Sequence, residues 1–219
     1  ERVAAWRQVA RRFAHELRNP LQPILISLYR IERILMDTDV YDEVYEPLKA
    51  ASEEVRHLIK LAERFSHLAK LPPPSLEEID LCELIRSVAA LYQQPDAPYS
   101  VVTRLPEVEM ICRVDKAYLR EALHNLVQNG LDATGRKGNI VIALDSNDAV
   151  VDLSVIDDGA GMDVDTLESA RLPYFTTKKK GHGLGLAIVE KSVGELGGQL
   201  QIQSRSGQGT QATISLPIG

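Results

Sequence analysis

Four short stretches of this chain hold side chains suited to moving a phosphoryl group. FAHELRNPL at 13–21 carries His15, whose ring nitrogen is a nucleophile when neutral, with the Glu16 carboxylate beside it and Asn19 one helical turn on. NLVQNGLDA at 125–133 sets Asn125 and Asn129 four apart, so on a helix both amides share a face. Neutral amide oxygens suit Mg2+ that already carries anionic phosphates, because they add no charge to repel a nucleotide. In DDGAGM at 157–162, Asp157 ends a run rich in Val and Ile, and Gly159 and Gly161 strip side chains from the turn beyond. A carboxylate there can accept from an exocyclic amine while the backbone comes close to a flat base. GHGLGL at 181–186 places Gly181, Gly183 and Gly185 ahead of Leu186, Ala187, Ile188 and Val189, a glycine-rich loop feeding a helix N-terminus. Free amides and the helix dipole there suit phosphate. No Gly-Lys-Ser/Thr follows, so this is not a Walker A loop, and HExxH zinc binding fails because Asn19 stands at the fifth position. Taken singly each stretch has an ordinary explanation: a solvated histidine, two polar helix residues, a strand-ending turn. Their joint presence is what asks for a common machine.

The intervening sequence supplies elements to position them. Apolar residues at Val3, Trp6, Ala10, Phe13, Leu17, Ile24, Leu28, Ile31 and Leu35 follow the 3-4 alternation of a helix packing seam, and Val44, Leu48, Ala51, Val55, Leu58, Ala62, Phe65 and Ala69 repeat it. Separated by Asp37, Thr38 and Asp39, these predict an antiparallel helical hairpin whose remaining apolar surface is covered by a second copy, giving a four-helix bundle as a homodimer. That register puts His15 at the outermost heptad position, facing water. Pro20 removes one backbone bond and predicts a bend just beyond it. Leu71 and the run Pro72, Pro73, Pro74, Ser75 end the second helix, predicting a hairpin domain over 1–71, a stiff linker over 72–77 and a second domain over 78–219.

Within 78–219, helical patterns at 81–92, from an Asp115 N-cap to about Ala133, and at 184–196 alternate with β-like runs. The runs are 100–104, 109–114, 140–144, 150–156, 199–204 and 210–216, the last two a hairpin around Gly207 and Gly209. The fold class is therefore α+β: a helical hairpin followed by an α/β sandwich with one mixed sheet covered by helices.

Composition bounds the rest. A chain of 219 residues, 44% hydrophobic and with net charge -6, buries a good core and lacks the basic surface of a nucleic-acid binder. Positive charge for a nucleotide must then be concentrated locally. Cys82 and Cys112 fit no metal or redox pattern and read as buried thiols of a reducing compartment. No apolar run approaches the ~20 residues that span a bilayer. The abrupt start, without Met or a signal peptide, suggests a cytoplasmic piece of a longer protein, with any membrane contact through missing N-terminal segments.

With these motifs in order, the chain resembles the transmitter core of bacterial two-component sensor histidine kinases over nearly its whole length, and AAWRQVARRFAHELRNPLQPI at 4–24 is similar in particular to the nitrogen-regulation type. The four stretches resemble the phosphoacceptor, asparagine and first two glycine boxes; YFTTK at 174–178 looks like the end of the ATP lid and GQGT at 207–210 the last glycine box. The resemblance implies a dimerisation and phosphotransfer hairpin followed by an ATP-binding domain of the gyrase, chaperone and kinase superfamily. It also implies ATP and Mg2+ as cofactors and a response regulator receiver domain as partner. His15 would accept the γ-phosphate with Glu16 as base, and Asn19 would orient water in a phosphatase reaction. Asn129 would hold the metal, with Asn125 in support. Asp157 would read adenine with Thr210 near the base, and Gly159, Gly161, Thr177, Lys178, Gly181, Gly183, Leu184, Gly185 and Leu186 would line the nucleotide. An imidazole near its ordinary pKa of ~6.5 is roughly three-quarters neutral at pH 7, enough for attack.

The superfamily's ATPases carry a water-activating Glu where this chain has Asn125, which favours transfer over hydrolysis. Two competing readings are a signalling scaffold with vestigial catalysis and a superfamily ATPase. Asp132 stands where many family members have Lys, so a phosphate contact must come from Arg136, Lys137 or Lys178–Lys180. Gly130, in place of the usual Ala, should loosen its helix by up to ~1 kcal/mol. His182 has no assigned role, and the short stretch 162–181 predicts a small, mobile lid.

Overall fold

The computed structural model describes residues 2–70, 73–147, 149–172, 175–178 and 183–218, without the side chains of 2–16, 18, 57 and 60–70. The chain divides into two compact units, Glu1–Pro72 and Pro73–Gly219.

The first unit is two long helices, α1 (Arg2–Leu35) and α2 (Tyr41–Lys70), packed on each other through a five-residue connection, 36–40. α1 runs without interruption through Pro20 and Pro23, and α2 through Pro47. Its contact stripe differs from the expected seam. Leu21, Leu25, Leu28, Glu32 and Leu35 are the half-buried positions of α1, whereas Ile24 and Ile31 are 46% and 43% exposed. Both stripes have 3-4 or 7 spacing, so periodicity alone could not tell which one meets α2. Along α2, Tyr41, Val44, Tyr45, Leu48, Val55 and Ile59 are half-buried and Ser52 is buried. Arg56 stacks its guanidinium 6.0 Å from the Tyr29 ring centre, tying the two helices across the seam.

The second unit is a two-layer sandwich. Its elements in order are β1 (Glu77–Asp80), α3 (Leu81–Ala90), β2 (Ser100–Arg104), β3 (Ile111–Val114), α4 (Lys116–Ala133), β4 (Asn139–Ser146), β5 (Val150–Asp157), α5 (Val164–Ser169), α6 (Gly185–Glu195), β6 (Gln199–Ser204) and β7 (Thr210–Pro217). The main sheet has order β2-β4-β5-β7-β6, parallel between β2 and β4 and antiparallel elsewhere. β1 and β3 form a separate antiparallel ribbon. Thus the run at 109–114 does not join the main sheet, and β1 begins inside the expected linker, where Ser75 N–H already donates to Asp115 Oδ2 at 2.8 Å.

Alternation decides the layers. On β4, β5 and β7 one face carries Ile140, Ile142, Leu144, Val151, Leu153, Val155, Ala212, Ile214 and Leu216, all buried beneath the helices. The opposite face carries Asp152, Ser154, Thr213 and Ser215, which bond across strands, as Ser154 Oγ does to Thr213 Oγ1 at 2.9 Å. α4 sits centrally: Leu119, Leu123, Val127 and Leu131 are fully buried, and it packs against α3, α6 and β5. Asp115 caps it, accepting from the Ala117 and Tyr118 amides at 2.8 and 3.2 Å, which fixes where the helix starts and hence which residues face the sheet. Cys82 and Cys112 are buried free thiols, both held above the ordinary thiol range by burial, and so inert.

α6 holds one defect. Ser192 is fully buried and its hydroxyl is the single buried side-chain polar atom among the described residues without a hydrogen-bond partner. Such a group costs about 1–3 kcal/mol of desolvation with nothing in return. Ser192→Ala is expected to stabilise the chain by about 1 kcal/mol, read as a higher denaturant midpoint at unchanged slope.

Candidate functional site

The described candidate residues of the second unit converge on one end of the sandwich, where the C-terminal half of α4, the end of β5 and the start of α6 meet. Asn125 and Asn129 lie on one face of α4, half-buried, opposite Gly185, the first residue of α6. A Cβ built on Gly185 would lie 3.4 Å from Asn129 Nδ2 and 3.6 Å from Asn125 Oδ1. Leu184, buried, precedes α6 as its N-cap and makes no side-chain cap bond to the first amides of α6. Gly183 is in the left-handed region, φ 63°, and Leu186 is half-buried. Asn125 is oriented by its own Nδ2, which donates to the Glu121 carbonyl at 2.9 Å.

Asp157 ends β5, paired with Ile140 of β4 and Thr210 of β7. Its Oδ1 accepts the Gly159 amide at 2.9 Å. Burial raises its pKa above the ordinary carboxylate value, opposed by the Gly159 and Thr210 amides, while the Asp158 charge raises it and the Lys178 charge lowers it. Asp158 beside it behaves in the opposite way: it is exposed and its pKa is lowered by accepting from the Asn139 backbone and side-chain amides at 2.8 and 2.7 Å.

The glycines after Asp157 answer to the protein before any ligand. A Cβ on Gly159 would come 2.7 Å from the Ala133 carbonyl carbon at the end of α4. Gly161, with φ 63°, would overlap the Arg205 carbonyl oxygen. Both also let three backbone segments touch. Ala160 N–H donates to Ala133 O at 3.1 Å and Gly207 N–H to Ala160 O at 2.6 Å, completing that junction. Gly130 is likewise more than a loosened helix residue. A Cβ there would lie 2.8 Å from Ile140 Cδ1 and 3.2 Å from Asp157 Cβ, so it sets how closely α4 approaches the carboxylate.

Lys178 reaches this place from the segment before the second glycine loop. Its Nζ lies 3.0 Å from Asp132 Oδ2 and 3.4 Å from Asn129 Oδ1. Thr177 beside it is exposed, and Thr176 Oγ1 accepts the Lys178 amide at 3.1 Å. Arg136, named as a phosphate candidate, instead bonds Asp132 Oδ1 at 3.3 Å and Gln128 Oε1 at 3.0 Å.

Two groups at the site had no assigned role in the sequence. Ser204 Oγ accepts the Met162 amide at 2.9 Å and lies 2.9 Å from both the Gly209 carbonyl oxygen and Thr210 Oγ1, so it fixes Thr210. Its only sequence signal is a hydroxyl at the end of a strand next to a Gly-x-Gly turn. Asp132 is the second; its signal was a carboxylate three residues after Asn129, on the same helix face. Gly181, His182, Lys179 and Lys180 lie outside the described residues, as do the side chains of His15 and Glu16, which belong to α1. Asn19, also on α1, is exposed.

Residues 114–219, which include this whole pocket, match the family model for histidine kinase-, DNA gyrase B- and HSP90-like ATPases. Along its full length the chain is 32% identical to the sensor histidine kinase ZraS of Escherichia coli strain K12, covering 47% of it, and 31% identical to the nitrogen regulation protein NtrY of Azorhizobium caulinodans, covering 29%. The catalytic domain of the histidine kinase ThkA is 30% identical, with 96% of it and 66% of this chain aligned at a TM-score of 0.60. The chain belongs to the sensor histidine kinases. It is thus a member of a family of protein-histidine kinases, and its second unit has the mixed α/β fold of their ATP-binding domain. It spans about half or less of the length of the curated relatives it matches. Full-length ShkA in complex with AMPPNP aligns over 97% of this chain at 27% identity and a TM-score of 0.74, and ThkA in complex with the response regulator TrrA over 97% at 25% and 0.70. Among the described residues no helix is long and apolar enough to cross a membrane.

Asp157 yields a prediction whose sign follows from its shift. Because its folded pKa is raised, the ionised carboxylate costs stability above that pKa, and the cost disappears as pH falls below the ordinary carboxylate value. Asp157→Asn keeps an acceptor for the Gly159 amide and removes the buried charge. The variant should therefore melt no lower than the parent at pH 7, with any gain shrinking under acid. Calorimetric scans at several pH values check this.

Proposed function

We propose that the chain is the catalytic core of a sensor histidine kinase that moves the γ-phosphoryl group of ATP to His15 and then to an aspartate of a response regulator receiver domain. The observation that carries the reading is the convergence of Asn125, Asn129, Lys178 and the Gly185 end of α6 beside Asp157. An ammonium already sits against Asn129 Oδ1, so that oxygen is a seat a cation accepts, and the uncapped head of α6 offers amides to anionic oxygens. The residues therefore fit Mg2+ and a nucleotide. Bound on Asn129, Mg2+ would neutralise phosphate charge.

The chain's own residues then have defined tasks. Asp157 would accept a hydrogen bond from the adenine amine, with Thr210, fixed by Ser204, alongside. Gly183, Leu184, Gly185 and Leu186, with Gly181 and Thr177 at the flank, would hold the phosphates, and Gly159 and Gly161 the floor. His15 Nε2 or Nδ1 would attack, and Glu16 would stabilise the imidazolium character that grows as it does. Positioning and charge neutralisation carry most of such a reaction. AMPPNP in ShkA and TrrA in the ThkA complex support nucleotide and regulator as ligands. Asn19, exposed near His15 in sequence, is the candidate for orienting water in regulator dephosphorylation.

In this reading residues 1–71 are the phosphotransfer hairpin, 72–77 the connection and 78–219 the ATP-binding domain. The helices α1 and α2 run antiparallel and pair with a second copy through the exposed stripe Leu17, Ile24 and Ile31, spaced by seven. Concentration-dependent mass measurement should give a dimer; a monomer at all concentrations removes this part. Incubation with γ-labelled ATP and Mg2+ should put acid-labile, alkali-stable label on the chain, absent from His15→Gln. Steady phosphate release without label would make it an ATPase instead, and neither signal a scaffold.

A further inference from the structure

We propose that Asp132 and Lys178 form a latch holding residues 175–178 to α4 in the nucleotide-free chain, and that a bound nucleotide exchanges Asp132 for its own phosphates as the partner of Lys178. Asp132 is then a positioning residue that sets nucleotide affinity. The proposal rests on the nucleotide reading above and names how the same pocket is regulated.

One half of the pair is fixed. Asp132 Oδ1 takes Arg136 at 3.3 Å, and Arg136 is itself pinned. Its backbone is in the left-handed region, φ 59°, unusual for a non-glycine residue. Its amide donates to Leu131 O at 2.8 Å, closing the end of α4, and its guanidinium donates to Gln128 Oε1 at 3.0 Å. Gln128 Nε2 reaches Tyr92 Oη at 3.4 Å, and Tyr92 is buried against α4 and bonds His124 Nδ1 at 2.6 Å. The carboxylate thus ends a chain of bonds rooted in the core. The other half comes from a loop: Lys178 brings one ammonium to Asp132 Oδ2 at 3.0 Å and Asn129 Oδ1 at 3.4 Å.

Three features make the contact an exchangeable one. Both side chains keep more than a third of their surface in water, 39% for Lys178 and 37% for Asp132, so the pair is weak by itself. A polyphosphate presents several anionic oxygens against one carboxylate and so outcompetes it for a single ammonium. The Asn129 oxygen that Lys178 touches is also the one proposed for the metal, so loading the site and opening the latch use the same atom. When Lys178 leaves, Arg136 still neutralises Asp132, and no carboxylate is abandoned beside the phosphates without a counter-charge.

The test compares Asp132→Asn, Lys178→Met and the parent, each as the full chain. In the nucleotide-free state, hydrogen exchange of residues 175–178 should be faster in both variants. Binding of a non-hydrolysable ATP analogue with Mg2+, measured by calorimetry, should then move in opposite directions: tighter by roughly two- to fivefold in Asp132→Asn, the scale of an exposed ion pair, and weaker in Lys178→Met. AMP, lacking the outer phosphates, should bind all three alike. Unchanged exchange in the free variants, or affinities that shift the same way in both, overturns the latch. A purely structural Asp132 would lower Tm and weaken AMP and the analogue together, which also overturns it. A parent chain that binds neither nucleotide refutes the pocket reading itself, a result distinct from a parent that binds while Asp132→Asn matches it.

Discussion

The second unit depends on how closely three backbone segments can approach the end of β5. A Cβ on Gly209, φ 77°, would overlap the carbonyl oxygen of Asp157; one on Gly159 would collide with the end of α4; and one on Gly161 would overlap the β6–β7 turn. Glycine is the residue that permits both the positive φ and the contact. Because these approaches are steric, they are nearly independent of pH and salt. They make the position of Asp157 relative to Asn125 and Asn129 a property of the scaffold, and Gly130 extends the same constraint to the helix above, since a Cβ there would lie 3.2 Å from Asp157 Cβ.

Electrostatics at this junction works against folding and toward binding. Burial raises the Asp157 pKa, and the Gly159 and Thr210 amides return only part of that cost. Net charge -6 adds a general repulsion of anions, against which Lys178 and the amide-rich head of α6 are placed locally. Sites that bind charged ligands carry such unrelieved groups because the ligand supplies the missing partners. Ser192 is different: it is fully buried, and its hydroxyl has no hydrogen-bond partner.

Periodicity and capping made most of the second unit legible. The Asp115 cap, the extents of α4 and α6 and the strands of the main sheet sit within one or two residues of where their patterns put them, because alternation reports burial directly. What pattern could not report was pairing. β3 alternates like any edge strand, yet β1, four residues with three acidic side chains and no apolar alternation of its own, captures it into a separate ribbon. The same limit applies to α1, where Ile24 and Leu25 both have helical spacing and only tertiary contact decides which one faces α2. The motifs brought Asn129, Asp157 and Gly185 to one place, but the close backbone contacts at the glycine turn and the Asp132–Lys178 contact are questions of distance, to which a one-dimensional spacing is blind.

The first unit combines a strong stripe with a deliberately weakened helix. Pro20 and Pro23 delete two backbone donors from α1 within four residues, yet the helix continues through both. Isolated, such a helix would break there; packing of Leu21, Leu25 and Leu28 against α2 carries the helix across. Ser27 adds a side-chain bond, its hydroxyl donating to Pro23 O at 2.9 Å. Among the described side chains of α1, tertiary contact after Pro20 offsets the backbone bonds that the two prolines remove. Local opening is easiest where intrahelical bonds are fewest. In the proposed reading, the most adjustable backbone of α1 follows directly on His15, the proposed phosphoacceptor.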